Sequence, residues 1–345
     1  MSEVPFVTIV IPCRNEVRYI RSFLDSMFSM NYPEHRSEII VADGGSQDGT
    51  RDVLQEIAGR EGTLRWIDNP SLTVPHGLNL AIAASRGEII VRMDVHASYP
   101  RDYLTSLVQG LQACDADNIG VPWETTPGAS TLQAHAVAAA QRSVFGIGLA
   151  DYRLGVTEPM EVDSVPYGCF RREVFDKIGM FDEDMHRNQD DEFNARMKKH
   201  GMRIVLLPGP KVVYFARETI LKSARMMFQY GHFKPLVNRK IGSPATLRQF
   251  VPPTFVLGLS GLTAAMPFSA LAKMGLAAVL GAYLLASVLA TIWFLKSDTG
   301  FRRPAAVLLP VTFFVNHVSY GMGYLRGTWD FLLLGRSPQV PKSSR

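Results

Sequence analysis

The sequence predicts an α/β domain built on a parallel sheet, followed by a membrane region of two to three helices. Three observations predict it. Apolar, β-branched runs alternate with helix-periodic segments from the N-terminus to about residue 215, and such alternation implies a parallel sheet covered by helices on both faces. Acidic residues close several of those runs, at the strand ends beyond which open parallel sheets bind ligands. Near the C-terminus, Lys273 is the only charged residue between Gln249 and Leu295, and residues 304–325 contain no Asp, Glu, Lys or Arg. A bilayer span needs about 20 apolar residues.

Each element has its own warrant. Phe6–Ile11 is a continuous apolar run, as expected of a strand buried on both faces. Tyr19–Met30 follows with Ile20, Phe23, Leu24, Met27 and Phe28 at helical spacing. Glu38–Ala42 reads as a second buried strand, and Asp48-Gly-Thr50 opens a helix with Thr50 as its N-cap. Leu64–Ile67 is a short third strand. Leu78–Ala84 is a helix stopped at Arg86-Gly87, and Glu88–Met93 is a fourth strand ending at Asp94. The Gly and Pro content of Gly120–Ser130 predicts a loop. Arg217–Lys240 mixes Arg and Lys with Met226, Met227, Phe228 and Phe233, a basic amphipathic pattern suited to an anionic lipid surface.

Composition narrows the function. Hydrophobic residues at 47% and charged residues at 20% exclude a disordered chain. Cys13, Cys114 and Cys169 have neither CxxC nor metal-type spacing, which argues against a disulfide framework or structural zinc. A net charge of +4, without a concentrated basic cluster, argues against nucleic acid as a partner. The N-terminus carries an acid and no basic n-region, and its apolar run Pro5–Pro12 is too short for a signal peptide. The first part of the chain is therefore expected in the cytoplasm.

Three acidic clusters carry candidate chemistry. Asp43 stands in Val-Ala-Asp-Gly-Gly-Ser-Gln-Asp-Gly-Thr50, where glycines let a ligand approach the backbone and a carboxylate can accept from a base N–H or a ribose hydroxyl. Asp94 and His96, at i and i+2, offer a carboxylate and an imidazole to a divalent metal, Mg²⁺ or Mn²⁺. In Asn188-Gln-Asp-Asp-Glu192, three consecutive acids repel one another unless a cation or basic partner is near, and one of them can serve as a general base. Each cluster also has a structural reading: an Asp/Gly turn with a helix cap, a solvated loop, and an acid-enriched helix N-terminus.

Six motifs in order over residues 5–235 resemble the family 2 glycosyltransferases, with their GT-A fold. They are Val-Thr-Ile-Val-Ile-Pro12-Cys-Arg14-Asn-Glu16, Asp43–Thr50, Arg86–His96, Gly168–Gly179, Gln189–Glu192 with Arg196, and Gln229-Tyr-Gly-His232-Phe233. The Asp-x-His form and the hydrophobic tail look most like the exopolysaccharide glucosyltransferases of that family, as in succinoglycan synthesis. The resemblance implies that Asp43 binds the uracil of a UDP-sugar, with Pro12, Arg14 and Glu16 lining the nucleotide pocket. It implies that Asp94 holds the metal on the diphosphate, with His96 where the motif usually has a second Asp. Asp190 is implied as catalytic base, with Asp191 competing for that role. Gln229, His232 and Phe233 resemble a degenerate Gln-x-x-Arg-Trp motif that meets diphosphate and acceptor.

The expected domains are a GT-A catalytic domain at 1–215, a basic interfacial segment at 216–248, a membrane region at 249–326 and a tail at 327–345. Spans are expected near 252–271, 274–295 and 304–325, the first two being the firmer. The basic link at 296–303 should face the cytoplasm, and a full third span would then put Arg326, Arg336, Lys342 and Arg345 outside, against the positive-inside rule. The expected activity is transfer of one hexose from a UDP-sugar to a polyprenyl-diphosphate-linked saccharide at the bacterial cytoplasmic membrane, alongside exopolysaccharide assembly proteins. The competing readings are a processive polysaccharide synthase, a glycolipid glycosyltransferase, and an inactive nucleotide-sugar-binding scaffold.

Overall fold

The computed structural model describes residues 4–148, 150–244, 246–298, 300 and 303–339. Its strands are β1 (Val7–Cys13), β2 (Ser37–Asp43), β3 (Leu64–Asp68), β4 (Ile89–Arg92), β5 (Ala97–Ser98), β6 (Asn118–Gly120), β7 (Trp123–Thr126), β8 (Met160–Glu161), β9 (Cys169–Arg171), β10 (Ile204–Leu206) and β11 (Val212–Phe215). Its helices are α1 (Ile20–Phe28), α2 (Thr50–Ala58), α3 (Val74–Ala84), α4 (Tyr103–Ala113), α5 (Leu132–Ala140), α6 (Val144–Ile147), α7 (Asp151–Leu154), α8 (Arg172–Ile178), α9 (Gln189–Lys199), α10 (Ile220–Ile241), α11 (Val251–Ala265), α12 (Ala270–Ser297) and α13 (Leu309–Gly327).

The chain divides into two compact units. The first comprises residues up to Glu124, Gly155–Tyr214 and the segment from Ser337; the second comprises Thr125–Leu154 and Phe215–Arg336. Residues 125–154 thus belong to the second unit although both flanking segments in the sequence belong to the first.

In the first unit an eight-stranded sheet has the order β3-β2-β1-β4-β9-β6-β10-β8. The four strands β3, β2, β1 and β4 pair in parallel, and β9 then runs antiparallel to both β4 and β6. Strand β1 is buried at six of its seven positions, which is why its sequence is continuously apolar rather than alternating. Helix α1 buries Ile20, Phe23, Leu24 and Met27, one stripe at 3.6-residue spacing. A smaller sheet has the order β5-β11-β7. Two local expectations are corrected. The segment expected as a loop from Gly120 contains β7, whose pairing replaces the turn that its Gly and Pro content suggested. Thr50 is the first helical residue rather than the cap: Gly49 holds the cap position at φ 96°, and the Thr50 hydroxyl bonds Asp48 instead.

The second unit is helical. Gly231, Gly323 and Gly327 let α10 and α13 run at backbone contact: a Cβ on Gly323 would lie 2.1 Å from the Phe228 carbonyl oxygen, and one on Gly327 1.9 Å from that of His232. Ser223 Oγ donates to Asn316 Oδ1 at 2.9 Å across the same pair. Helix α11 has only 15 residues, because the chain breaks at Met266-Pro267-Phe268 and restarts with Ser269 capping α12. Among the described residues, the helical stretches long and apolar enough to cross a membrane are Ala270–Ser297 and Arg303–Leu333, of 28 and 31 residues. These are the second and third expected spans, so the expectation that the first was among the firmer is corrected. Thr299, Phe301 and Arg302 of the basic link, and Lys342 and Arg345 of the tail, lie outside the described residues.

Candidate active site

The site grows from two loops at the carboxyl ends of β1 and β2, where Cys13 stands in register with Asp43. The loops are laced together. The Asn15 N–H donates to Ser46 Oγ at 2.7 Å, and the Gln47 N–H donates to Asn15 Oδ1 at 2.9 Å. The Glu16 N–H donates to Thr50 Oγ1 at 2.8 Å, and the Val17 N–H to Asp48 at 3.1 Å. Asp43 is fully buried; it accepts from the Ser46 N–H at 3.1 Å and from the Ser46 hydroxyl, and pairs with Arg51, which also reaches Asp68. Arg14 lies against Gly44, where an added Cβ would be 3.3 Å from the Arg14 side chain. Pro12 and Arg14 are half-buried. Burial pushes the Cys13 thiol far up, and the charges of Glu16, Asp43, Asp48 and Asp94 push it further.

Asp94 follows β4, whose Arg92 is in register with Val10 of β1. The Asp94 N–H donates to the Tyr99 hydroxyl at 2.8 Å, and Asp94 Oδ1 accepts from the His96 N–H at 2.9 Å. The His96 ring turns to Glu16, with Nε2 2.6 Å from Oε1, and packs edge-on to Tyr19 at 5.1 Å. The backbone turn thus spends one Asp94 oxygen, and Oδ2 accepts no hydrogen bond among the described residues. No group of three or more His, Cys, Asp or Glu among the described residues is arranged to hold a metal. A hard cation shared with substrate phosphates asks only one or two protein donors. The open Asp94 oxygen fits that demand, whereas the His96 imidazole is committed to Glu16.

The third cluster starts α9. Asn188 sits at its N-cap with φ 60°, and Asp190, Asp191 and Glu192 fill the first turn, as the helix dipole favours. Two arginines answer the charge of the three acids. Arg196 clasps the buried Glu192 with two bonds of 2.8 and 2.9 Å and also donates to the carbonyls of Ile178 and Met180. Arg92, buried in β4, bonds Asp190 Oδ1. Burial raises the Asp190 carboxyl above its ordinary value; Arg92 pulls it down, while Asp191 and Asp94 push it up. Asp191 is half-buried on the same turn.

Pro12, Arg14, Glu16, Asp43, Asp94, His96, Asp190 and Asp191 all belong to the first unit, and Gln229, His232 and Phe233 lie on α10 in the second. There the His232 ring meets Phe331 edge-on at 4.8 Å, with Nε2 3.9 Å from Asp330, and Phe233 is buried against Phe331. Burial lowers the His232 imidazole; Asp330 raises it and Arg326 lowers it.

Arg92, Tyr99, Ser46 and Arg51 were given no role from sequence. Arg92 had a visible signal, the one charge inside the apolar run Ile89-Ile-Val-Arg-Met93. Tyr99 and Ser46 had none, since their hydroxyls act through loop geometry.

The model of the glycosyl transferase family 2 matches residues 8–179. The succinoglycan biosynthesis protein ExoA of Rhizobium meliloti (strain 1021) is 30% identical over 328 residues, covering 94% of this chain and 95% of the relative. A Methanococcus voltae enzyme, named as a glucuronosyltransferase acting on dolichyl N-acetyl-α-D-glucosaminyl phosphate, is 23% identical over 93% of this chain and 97% of its own. Among solved structures, the mannosyltransferase PcManGT from Pyrobaculum calidifontis in complex with GDP-Man and Mn²⁺ aligns with a TM-score of 0.59 at 19% identity, over 95% of this chain and 88% of that one. S. aureus TarS 1–349 in complex with UDP-GlcNAc aligns at 0.52 and 14%, over 98% and 94%. These likenesses give the fold, a GT-A domain. The family model and the full-length relative carry the rest: the chain belongs to the family 2 glycosyltransferases.

Proposed function

We propose that this glycosyltransferase is a membrane-bound, inverting enzyme that moves one hexose, glucose from UDP-glucose, onto a polyprenyl-diphosphate-linked saccharide in exopolysaccharide assembly. The observation that carries the reading is Asp190: its Oδ1 is fixed by Arg92, its Oδ2 accepts no hydrogen bond among the described residues, and its carboxyl titrates above the ordinary value. A carboxylate so placed suits a general base.

In this reading Asp190 takes the proton from the acceptor hydroxyl as that oxygen attacks the anomeric carbon. The new C–O bond forms as the bond to the diphosphate breaks, and its electron pair leaves on UDP. A single attacking base needs no covalent intermediate, and configuration inverts. Asp43 orients the uracil, with Pro12, Arg14 and Glu16 around the nucleotide. A divalent cation, Mn²⁺ or Mg²⁺, held by the open oxygen of Asp94, would offset the charge developing on the leaving diphosphate.

The lipid-linked acceptor is supported by the two long apolar stretches and by the dolichyl-linked substrate in the Methanococcus voltae relative's name. Exopolysaccharide assembly is supported by the likeness to ExoA. The cytoplasmic membrane is the expected location, with the catalytic unit on the cytoplasmic side. The basic residues Arg225, His232, Lys234, Arg239 and Lys240 and the nearby Gln229 and Phe233 of α10 are assigned to the acceptor's headgroup region.

The test is transfer by detergent-solubilised protein given Mn²⁺, a panel of UDP-sugars and a polyprenyl-diphosphate-linked sugar, read as UDP release and lipid-product mass. A gain of one hexose, lost in Asp190→Asn and kept in Asp191→Asn, supports the reading. A ladder of masses replaces it with a processive synthase. Product on diacylglycerol or ceramide alone replaces the acceptor. UDP-sugar binding without turnover on any acceptor leaves the scaffold.

A further inference from the structure

We propose that Arg92 is the positioning residue for the catalytic carboxylate: its guanidinium fixes Asp190 Oδ1 and so leaves Oδ2 as the oxygen that receives the acceptor's proton. This rests on Asp190 being the base, as proposed above.

Arg92 lies in the interior of the sheet, between Val91 and Met93, both with no exposed surface. A buried charge costs several kcal/mol unless it is paired. Packing alone gives no reason for it, because the equivalent register partner on β1 is Val10 and the rest of β4 is Ile-Ile-Val. The backbone of Arg92 is held from both sides, by the β1 ladder and by its N–H donating to the Gly168 carbonyl at 3.0 Å. Its head group lies 5.6 Å from the centre of the Tyr167 ring. Its Nε has no hydrogen-bond partner among the described residues. The one side-chain hydrogen bond that Arg92 makes among the described residues is therefore to Asp190.

The pair has an asymmetry that suits a base. Arg92 stands on a rigid central strand, whereas Asp190 stands on the first turn of α9, behind a loop. An arginine keeps its charge at any physiological pH and donates without accepting. It therefore orients one carboxylate oxygen without competing for the proton. The groups that face Asp190 are Arg92 from β4, Asp94 from the turn after β4, and Asp191 from its own helix, while Tyr167 faces Arg92. Asp191 and Asp94 favour the protonated form of Asp190, and Arg92 opposes them.

The experiment compares Arg92→Met, Arg92→Lys and Asp190→Asn in the full-length detergent-solubilised protein, using the UDP-sugar and lipid acceptor that turn over. Readouts are kcat, KM for the donor, the pH profile of kcat and the Kd for UDP. Arg92→Met is expected to lower kcat about 100-fold, the scale of general-base catalysis. Donor KM and UDP Kd should stay within about twofold, and the acid limb of the pH profile should move to higher pH, because an uncompensated Asp190 holds its proton more tightly. Arg92→Lys should recover about tenfold of the loss by restoring the charge without the fork. Unchanged kcat in Arg92→Met overturns the inference. So does a raised donor KM with kcat intact, which would make Arg92 a donor contact. If Arg92→Met does not fold, Arg92→Lys decides: a reduced kcat at unchanged UDP Kd supports the assignment, and wild-type kcat overturns it. Substantial turnover by Asp190→Asn defeats the base assignment itself, whatever Arg92 does.

Discussion

Glu38 offers the best-defined stability test. It opens β2 with only 2% of its surface exposed, at the end of the sheet remote from Asp43. Its Oε1 accepts from Thr8 Oγ1 at 2.8 Å and from the Arg86 N–H at 2.7 Å; its Oε2 accepts from Arg86 Nε at 3.2 Å and Arg65 Nη2 at 3.4 Å. One carboxylate therefore joins β1, β3 and the approach to β4. In Glu38→Gln the two buried bonds become neutral, a loss of about 1 kcal/mol each. The two arginines are 44% and 74% exposed, so their pairs are worth only about 0.5 kcal/mol each. The expected loss is about 3 kcal/mol, or roughly 6–12 °C in Tm for a domain of this size. Burial raises the Glu38 carboxyl, but the Arg86 N–H, Thr8 and the two arginines outweigh it and hold it below its ordinary value. A carboxyl depressed in the folded state stabilises fully above its unfolded pKa of about 4.3 and loses that contribution as pH falls through the folded value. Thermal unfolding followed downward from pH 7.5 should show the gap between wild type and Glu38→Gln narrowing as the pH falls below the unfolded value of about 4.3. A gap under about 1 °C at pH 7.5, or one that widens in acid, would refute the reasoning. UDP affinity of the folded variant should not change.

Three other predictions follow from the same geometry. Asp43→Asn should raise donor KM about tenfold, the equivalent of one hydrogen bond, with kcat within about twofold; steady-state kinetics over a UDP-sugar series checks it. Gly327→Ala drives a methyl into the His232 carbonyl and should cost about 1–3 kcal/mol, read as a lower Tm in detergent, whereas Gly281→Ala, with nothing within 4 Å of the new Cβ, should be neutral. Chelation should abolish transfer and added Mn²⁺ restore it, with Asp94→Asn needing more metal than wild type and His96→Ala less affected, because that ring is bonded to Glu16; a metal titration of UDP release reads all three.

The legible part of the fold was the part whose physics is local. β1, β2 and β4 are buried on both faces, so each is centred on consecutive apolar residues, Ile9–Ile11, Ile39–Ala42 and Ile89–Val91, and α1 carries a full helical stripe. The strands β6, β9 and β10 have three residues each, too short for any period, and the antiparallel insertion of β9 between β4 and β6 is a long-range pairing that no window reports. Residues 125–154 join the second unit through long-range packing, which no sequence window reports. The error at Thr50 has the same root, since a threonine beside Gly49 looks like a cap until Asp48 takes its hydroxyl. The first expected span failed at Pro267, where hydropathy continues but the helix does not.

The candidate site divides along a similar line. Asp43 and Asp94 were visible because strand ends in a parallel sheet are where ligands bind, and Asp190 because it belongs to a run of three acids. The groups that set their chemistry were not visible, because each acts across the sequence: Arg92 reaches Asp190 over 98 positions, and Glu16 reaches His96 over 80. The acidic run at 190–192 posed a specific question, whether a cation or a basic partner offsets its repulsion. The structure answers with two arginines used differently. Arg196 grips Glu192 with both carboxylate oxygens engaged and ties it to the carbonyls that precede α9, which leaves that acid no free oxygen for chemistry. Arg92 engages only one oxygen of Asp190. Two acids on one helical turn, Asp190 and Glu192, are thereby made unequal, and the difference lies in how many of their oxygens the protein has already occupied.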